Sequence, residues 1–213
     1  MNYIENIFVC LMAPIILCCL CLRGRKRKSY MLSFLLGMTA CLLSSYISTF
    51  AAAALGMDPV TASVEVTPVV EEAMKFMPAL FYLLVFDPDE DSALNCIILI
   101  SAGFATFENV CYLIENGAAS ISHLLVRGFG TGTMHIVCGV IVAWGIYYLW
   151  RSEYLRAAGT AGLISAAIMF HGIFNVLVSQ KGLSAVIGYI IPLITLALAY
   201  VLSARIRREV ADD

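Results

Sequence analysis

The sequence predicts an all-α polytopic membrane protein of about seven transmembrane helices, with its N-terminus outside and its C-terminus cytoplasmic. Three observations carry this reading. Apolar residues make up 61% of the 213 residues and charged residues only 13%, where a soluble domain is roughly 45–50% apolar. The mean hydropathy is +0.89. Apolar runs near the roughly 20 residues that a spanning helix needs recur along the chain between short polar joints. The composition excludes an ordinary soluble domain, and no basic, aromatic-interleaved surface points to a nucleic-acid partner. Neither an internal repeat nor a low-complexity linker divides the chain, so residues 1–213 read as a single transmembrane domain in contact with the lipid bilayer.

The first run, about 3–22, reads as an anchor rather than a cleaved signal, because Met1–Asn6 carries Glu5 and no basic residue. The second spans about 30–55. The third, 68–86, opens with Pro68 at the first helical position and Thr67 as its expected cap. The connection before it holds Ser63-Val64-Glu65-Val66-Thr67, a short period-two pattern that reads as extended loop or as a strand edge for an extended substrate. The fourth run, 92–115, follows Asp87-Pro88-Asp89-Glu90-Asp91, which reads as a solvated turn capping the helix. The remaining runs are 123–150, 157–178 and 184–204.

Orientation follows from the basic residues in short loops. Arg23, Arg25, Lys26, Arg27 and Lys28 follow the first span, Arg151 and Arg156 the fifth, and Arg205, Arg207 and Arg208 the seventh. All three clusters fall on one side, the cytoplasmic one. The expected location is a multi-pass position in a cell membrane, with the bacterial plasma membrane the expected one.

Cys10, Cys18, Cys19, Cys21, Cys41, Cys96, Cys111 and Cys138 lie in or at the ends of apolar runs and read as small helix- or lipid-facing residues. The Cys18-x-x-Cys21 pair has no second pair and is assigned no metal or redox use. Acylation beside the basic loop is the better alternative. No cofactor is expected.

Polar groups inside the apolar runs are where chemistry is expected, because each intramembrane charge costs roughly 2.5–3.5 kcal/mol on insertion scales. Span 3 carries Glu71, Glu72 and Lys75, span 4 Glu108, span 5 Arg127 and His135, and span 6 His171 and Asn175. At 1.5 Å per residue most of them fall roughly 5–12 Å from the outer boundary, with His135 deeper. Four consecutive spans therefore aim polar groups at one layer, and 68–178 reads as a four-helix catalytic core.

Helical spacing assigns faces. Glu71 and Lys75 are i and i+4 and share one, while Glu72 points about 100° away. His171 and Asn175 share a face, as do Phe104, Glu108 and Tyr112, and Arg127, Thr131 and His135. Gly128, Gly130 and Gly132 thin or bend the fifth helix. Three acids meet two bases, Lys75 and Arg127, so one surplus carboxylate is expected to hold or share a proton, which suits a general base for water. A bland reading stands beside each residue: a neutralised Glu71–Lys75 pair, hydrogen-bonded core histidines, an Asn175 that glues helices, an Arg127 that snorkels to the interface. Their coincidence in one layer favours a site.

At these residues the sequence resembles the PrsW family of intramembrane proteases, within a wider group that includes abortive-infection membrane proteins and CAAX prenyl proteases. Glu71-Glu72-x-x-Lys75, Phe104-x-x-x-Glu108, His135 and His171-x-x-x-Asn175 look like the family's motifs, in order. The resemblance implies a glutamate-type peptidase without a metal. Its substrate would be a single-pass membrane protein such as an anti-sigma factor, cut near the extracytoplasmic face. It implies Glu71 or Glu72 as the base, Glu108 assisting, and His171 and Asn175 as oxyanion donors, with Lys75, Arg127 and Tyr112 supporting. The resemblance to prenyl proteases favours the first glutamate as base, whereas helix spacing pairs Glu71 with Lys75 and leaves Glu72 freer to face water. Lys75 and Glu108 depart from the prenyl-protease pattern. Three other readings stay open: a CAAX-type prenyl endopeptidase, a zinc metalloprotease using Glu72, Glu108, His135 and His171, and a proton-coupled transporter or non-enzymatic scaffold.

Overall fold

The computed structural model describes Phe8 and residues 24–116, 121–150 and 152–212. The expected first span, with Cys10, Cys18, Cys19 and Cys21, lies otherwise outside the described residues. Those residues form helices and no strand: α1 Arg25–Leu55, α2 Pro59–Glu65, α3 Thr67–Phe86, α4 Glu90–Asn116, α5 Ile121–Leu149, α6 Glu153–Ser179 and α7 Leu183–Asp212. Five of these, α1, α4, α5, α6 and α7, are long and apolar enough to cross a membrane. The 20-residue α3 falls outside that set because Glu71, Glu72 and Lys75 interrupt its apolar run.

Local chemistry sets the ends. Gly56 closes α1 in the left-handed conformation, φ 65°, which glycine adopts without a Cβ penalty, and Met57 donates back to the Ala52 carbonyl at 3.0 Å. The acidic turn does cap α4: Asp89 accepts from the Ser92 amide at 3.1 Å and the Ser92 hydroxyl at 2.8 Å. Those bonds, with Lys26 beside it, hold the Asp89 carboxyl below the ordinary carboxylate range.

The structure corrects the strand reading of residues 63–67. Asp58 caps a short helix by accepting from the amides of Val60 and Thr61 at 3.0 and 3.1 Å, with Pro59 in its first turn. Val66 stays helical, bonding back to the Ala62 carbonyl and accepting from Val70, so α2 runs almost directly into α3. Thr67 is therefore inside the helical run and caps nothing. A two-period pattern of five residues is weaker than an Asp-Pro start signal.

Helices α3, α4, α5 and α6 contact one another in a ring, with α1 outside against α3 and α4, and α7 outside against α5 and α6. The central member is α5: 67% of its apolar window is buried, against 11% for α7, whose Leu193, Ile194 and Leu198 face outward. Lipid tails are as apolar as leucine, so packing in a bilayer relies on close approach and small residues. Along α1 the buried face is Ser33, Gly37, Ala40, Cys41 and Ser44. A Cβ on Gly37 would overlap the Ile100 carbonyl of α4, and one on Gly103 would overlap the Phe34 carbonyl of α1, so the two backbones touch there. Cys41, Cys96 and Cys138 are buried among the helices, consistent with small packing residues.

Candidate active site

The ring of α3 to α6 closes around charged side chains at one end. Alternating direction explains why the residues meet: the site uses the N-terminal turns of α3 and α5 and the C-terminal turns of α4 and α6. Lys26 pairs with Asp89 at 3.1 Å at the far, basic end of the bundle.

At the centre, Glu72 is 5% exposed and Lys75 is 5% exposed. The Lys75 ammonium donates to Glu72 Oε1 at 2.6 Å and lies 3.0 Å from His135 Nδ1 and 5.0 Å from the centre of the Phe104 ring. Glu72 Oε1 also accepts from His171 Nδ1 at 2.8 Å. The spacing argument that paired Glu71 with Lys75 is thereby corrected. Residues at i+3 and i+4 are both neighbours on a helix, and Lys75 takes the i+3 partner because that side faces the interior, where His135 adds a second acceptor. Glu71 is the more accessible glutamate, 12% exposed on its side chain, with Oε2 3.8 Å from His171 Nε2.

Glu108 forms the outer half. It accepts from Arg127 Nη2 at 3.2 Å and is bonded to His135 Nε2. Arg127 stacks on Tyr112 at 3.6 Å, and Tyr189 of α7 reaches it from outside the ring. The snorkelling reading of Arg127 gives way to an ion pair that is partly buried, with side chains 17% and 26% exposed. The surplus carboxylate is now identifiable: Glu72 belongs with Lys75 and Glu108 with Arg127, so Glu71 is the acid with no cation of its own.

Hydrogen-bond chemistry assigns the tautomer of His135. An ammonium has donors only, so His135 Nδ1 accepts from Lys75 and its Nε2–H donates to Glu108. His171 is held from the other nitrogen: Nδ1–H donates to Glu72, and Nε2 stands 3.8 Å from Glu71 Oε2, outside direct hydrogen-bond reach. The rings meet edge to face at 5.0 Å.

Asn175 sits apart from this network. Its Nδ2 donates at 2.8 Å to the Ser63 carbonyl, tying α6 to the last turn of α2. Gly172 brings the same face of α6 close to the Val64 carbonyl. Sequence reasoning missed Ser63 because the contact uses a backbone carbonyl, which leaves no side-chain signature. It also missed Tyr189, which lies on a helix outside the expected core. Two buried polar atoms on one face of α5, Arg127 Nε and Thr131 Oγ1, have no partner among the described residues.

Glu71, His135 and His171 offer possible ligand atoms within 4.8 Å of one another. Their hydrogen bonding does not suit a metal. Zinc sites in proteins use three or four ligands with free lone pairs. In this arrangement Glu71 and His171 Nε2 qualify, while both nitrogens of His135 are committed, Nδ1 to an ammonium and Nε2–H to a carboxylate.

Against known proteins, a family model described as PrsW family intramembrane metalloprotease matches residues 25–203. No curated protein and no solved structure matches.

Proposed function

The chain belongs to the PrsW family of intramembrane proteases, and from that premise we propose that this membrane-embedded peptidase hydrolyses its substrate with a water activated by Glu71. The observation that carries the reading is the placement of Glu71 Oε2 3.8 Å from His171 Nε2; in this reading His171 is neutral, so both atoms are acceptors. A water donating both hydrogens at about 2.8 Å spans acceptors about 4.4 Å apart, so this pair can hold one with a small adjustment and leave its lone pairs outward.

Attack by that oxygen on the scissile carbonyl carbon transfers a proton to Glu71. The same proton then goes to the leaving amine nitrogen as the C–N bond breaks. Glu72, Lys75 and His135 serve as the buried frame. Glu108, fixed by His135 and Arg127, supplies the second carboxylate. His171, with Nδ1–H held by Glu72 and Nε2 accepting from the water, has no proton left for the developing oxyanion, so of the two expected donors the second amide proton of Asn175 remains, a group of the kind that stabilises such charge. The family description names a metal, but the His135 bonding does not fit one, so no step passes through it.

The remaining features follow from placement. The site lies at the end opposite Arg25, Lys26 and Lys28, which the positive-inside rule puts in the cytoplasm, so the site opens extracytoplasmically. Residues 68–178 form the catalytic core. A single-pass membrane protein of anti-sigma-factor type, cut near that face, is the substrate class this geometry suits. Co-expression with candidate single-pass substrates tests the reading: wild type releases the extracytoplasmic fragment and Glu71→Gln does not. Undiminished cleavage by Glu71→Gln would overturn it.

A further inference from the structure

We infer that Lys75 is a positioning residue that bars a proton from Nδ1 of His135 and thereby keeps the two-histidine, one-glutamate cluster from closing on a transition metal. The inference deepens the metal-free reading of the site, yet it rests on contacts that can be measured without any substrate.

Lys75 is buried, with its ammonium shared between Glu72 Oε1 at 2.6 Å and His135 Nδ1 at 3.0 Å, over the Phe104 ring. Having no lone pair, it obliges Nδ1 to accept. The opposite nitrogen faces Glu108, which is already paired with Arg127 at 3.2 Å and is an acceptor. Both ends of the ring therefore demand the same proton placement, on Nε2. An imidazolium would set an N–H against the ammonium in a dry site, and the other neutral tautomer would do the same.

The cluster Glu71, His135 and His171 otherwise has the residue types of a His/His/Glu zinc site. His171 even has the supporting carboxylate that ligating histidines usually possess, since its Nδ1–H donates to Glu72. The asymmetry lies at His135. To bind a metal through Nε2, its proton must move to Nδ1, where Lys75 stands. A second-shell carboxylate raises ligand basicity, and an ammonium in that place does the reverse. Glu108 can release Nε2 only if the proton has somewhere else to sit, and Lys75 on α3 closes the one other place on the ring.

The test uses the full chain in nanodiscs, with nitrogen NMR of the histidines and zinc titration followed by elemental analysis. In wild type, His135 carries its proton on Nε2, and zinc does not remain bound through desalting. In Lys75→Met the metal-free His135 should keep its Nε2–H on Glu108, but with the ammonium gone zinc should draw the proton to Nδ1 as it binds, and zinc affinity should rise by roughly 10–100-fold, the range by which outer-shell partners alter metal sites. Lys75→Arg, which keeps a donor against Nδ1, should retain the wild-type tautomer and reject zinc. Lys75→Met/Glu72→Gln removes both buried charges, guards against a single variant that fails to fold, and should gain zinc affinity as Lys75→Met does. Stoichiometric zinc in wild type, an Nδ1–H tautomer there, or a zinc affinity unchanged in both Lys75→Met and the double variant would each overturn the inference. These readouts stand whether or not Glu71→Gln abolishes cleavage, so failure here and failure of the proposed mechanism are distinguishable.

Discussion

Glu71 and Glu72 are adjacent, yet replacing each by glutamine should give opposite phenotypes. Glu72 and Lys75 are a buried pair with side chains 4% and 5% exposed, 2.6 Å apart. Removing one member of such a pair costs about 3–5 kcal/mol because the other charge is left uncompensated. Glutamine keeps an acceptor for Lys75 and His171, so Glu72→Gln belongs at the low end, about 3 kcal/mol. For a chain of this size that is a fall of roughly 6–12 °C in Tm. Glu71, whose nearest ionic partner is 3.8 Å away, should tolerate glutamine within about 0.5 kcal/mol. Cleavage by Glu71→Gln should nevertheless fall by roughly 10²–10⁴, the usual weight of a general base. Thermal unfolding in detergent micelles and fragment release in cells measure the two effects separately. The pairing itself is isolated by a double-mutant cycle with Lys75→Met. Neutral replacements of a whole buried pair are often near neutral, so the double variant should recover most of the lost stability, a coupling of about 2–3 kcal/mol. If Glu71→Gln is as destabilised as Glu72→Gln, or if the cycle is additive, the division of labour drawn from these contacts is wrong.

Two further outcomes concern α2. Asn175→Leu removes the bond to the Ser63 carbonyl, and a net loss of about 1 kcal/mol should speed amide exchange in residues 60–66 roughly fivefold, read by hydrogen–deuterium exchange; unchanged exchange would show that the bond does not hold the helix. The Thr61 hydroxyl and the Thr61 and Val60 amides hold the Asp58 carboxyl below its ordinary range, so its contribution is present above that range and lost as pH falls through the depressed value. Exchange in α2 should stay slow from neutral to mildly acidic pH and rise only below it, and Asp58→Asn should flatten the profile while keeping the cap.

Most of the membrane architecture is legible in the sequence because apolar run length is a physical requirement of the bilayer. The expected runs from 30–55 onward agree with α1 and α3–α7 to within a few residues at most ends. The layer of polar groups is legible for the same reason, since charge in such runs is costly enough to be confined to where it is used. Pairing within that layer is not. Spacing on α3 allows Lys75 either glutamate, and only the position of His135 on a different helix decides. Likewise, the tautomers depend on which atoms meet across helices, and the tie from Asn175 ends on a main-chain oxygen. The α2 helix is legible in Asp58-Pro59, a start signal that prevails over the short alternation of Val64 and Val66.

The touching backbones at Gly37 and Gly103 have a bearing on residues they never approach. Gly103 lies five positions before Glu108, about 7.5 Å along the same helix. A methyl group at either glycine would have to push α4 aside, and α4 moves with its carboxylate attached. Misplacement by 1 Å can cost 10²-fold in rate, so the two smallest residues at that crossing act as the datum from which the second carboxylate is measured. Two residues without side chains thus set a dimension on which a carboxylate about one and a half turns away depends.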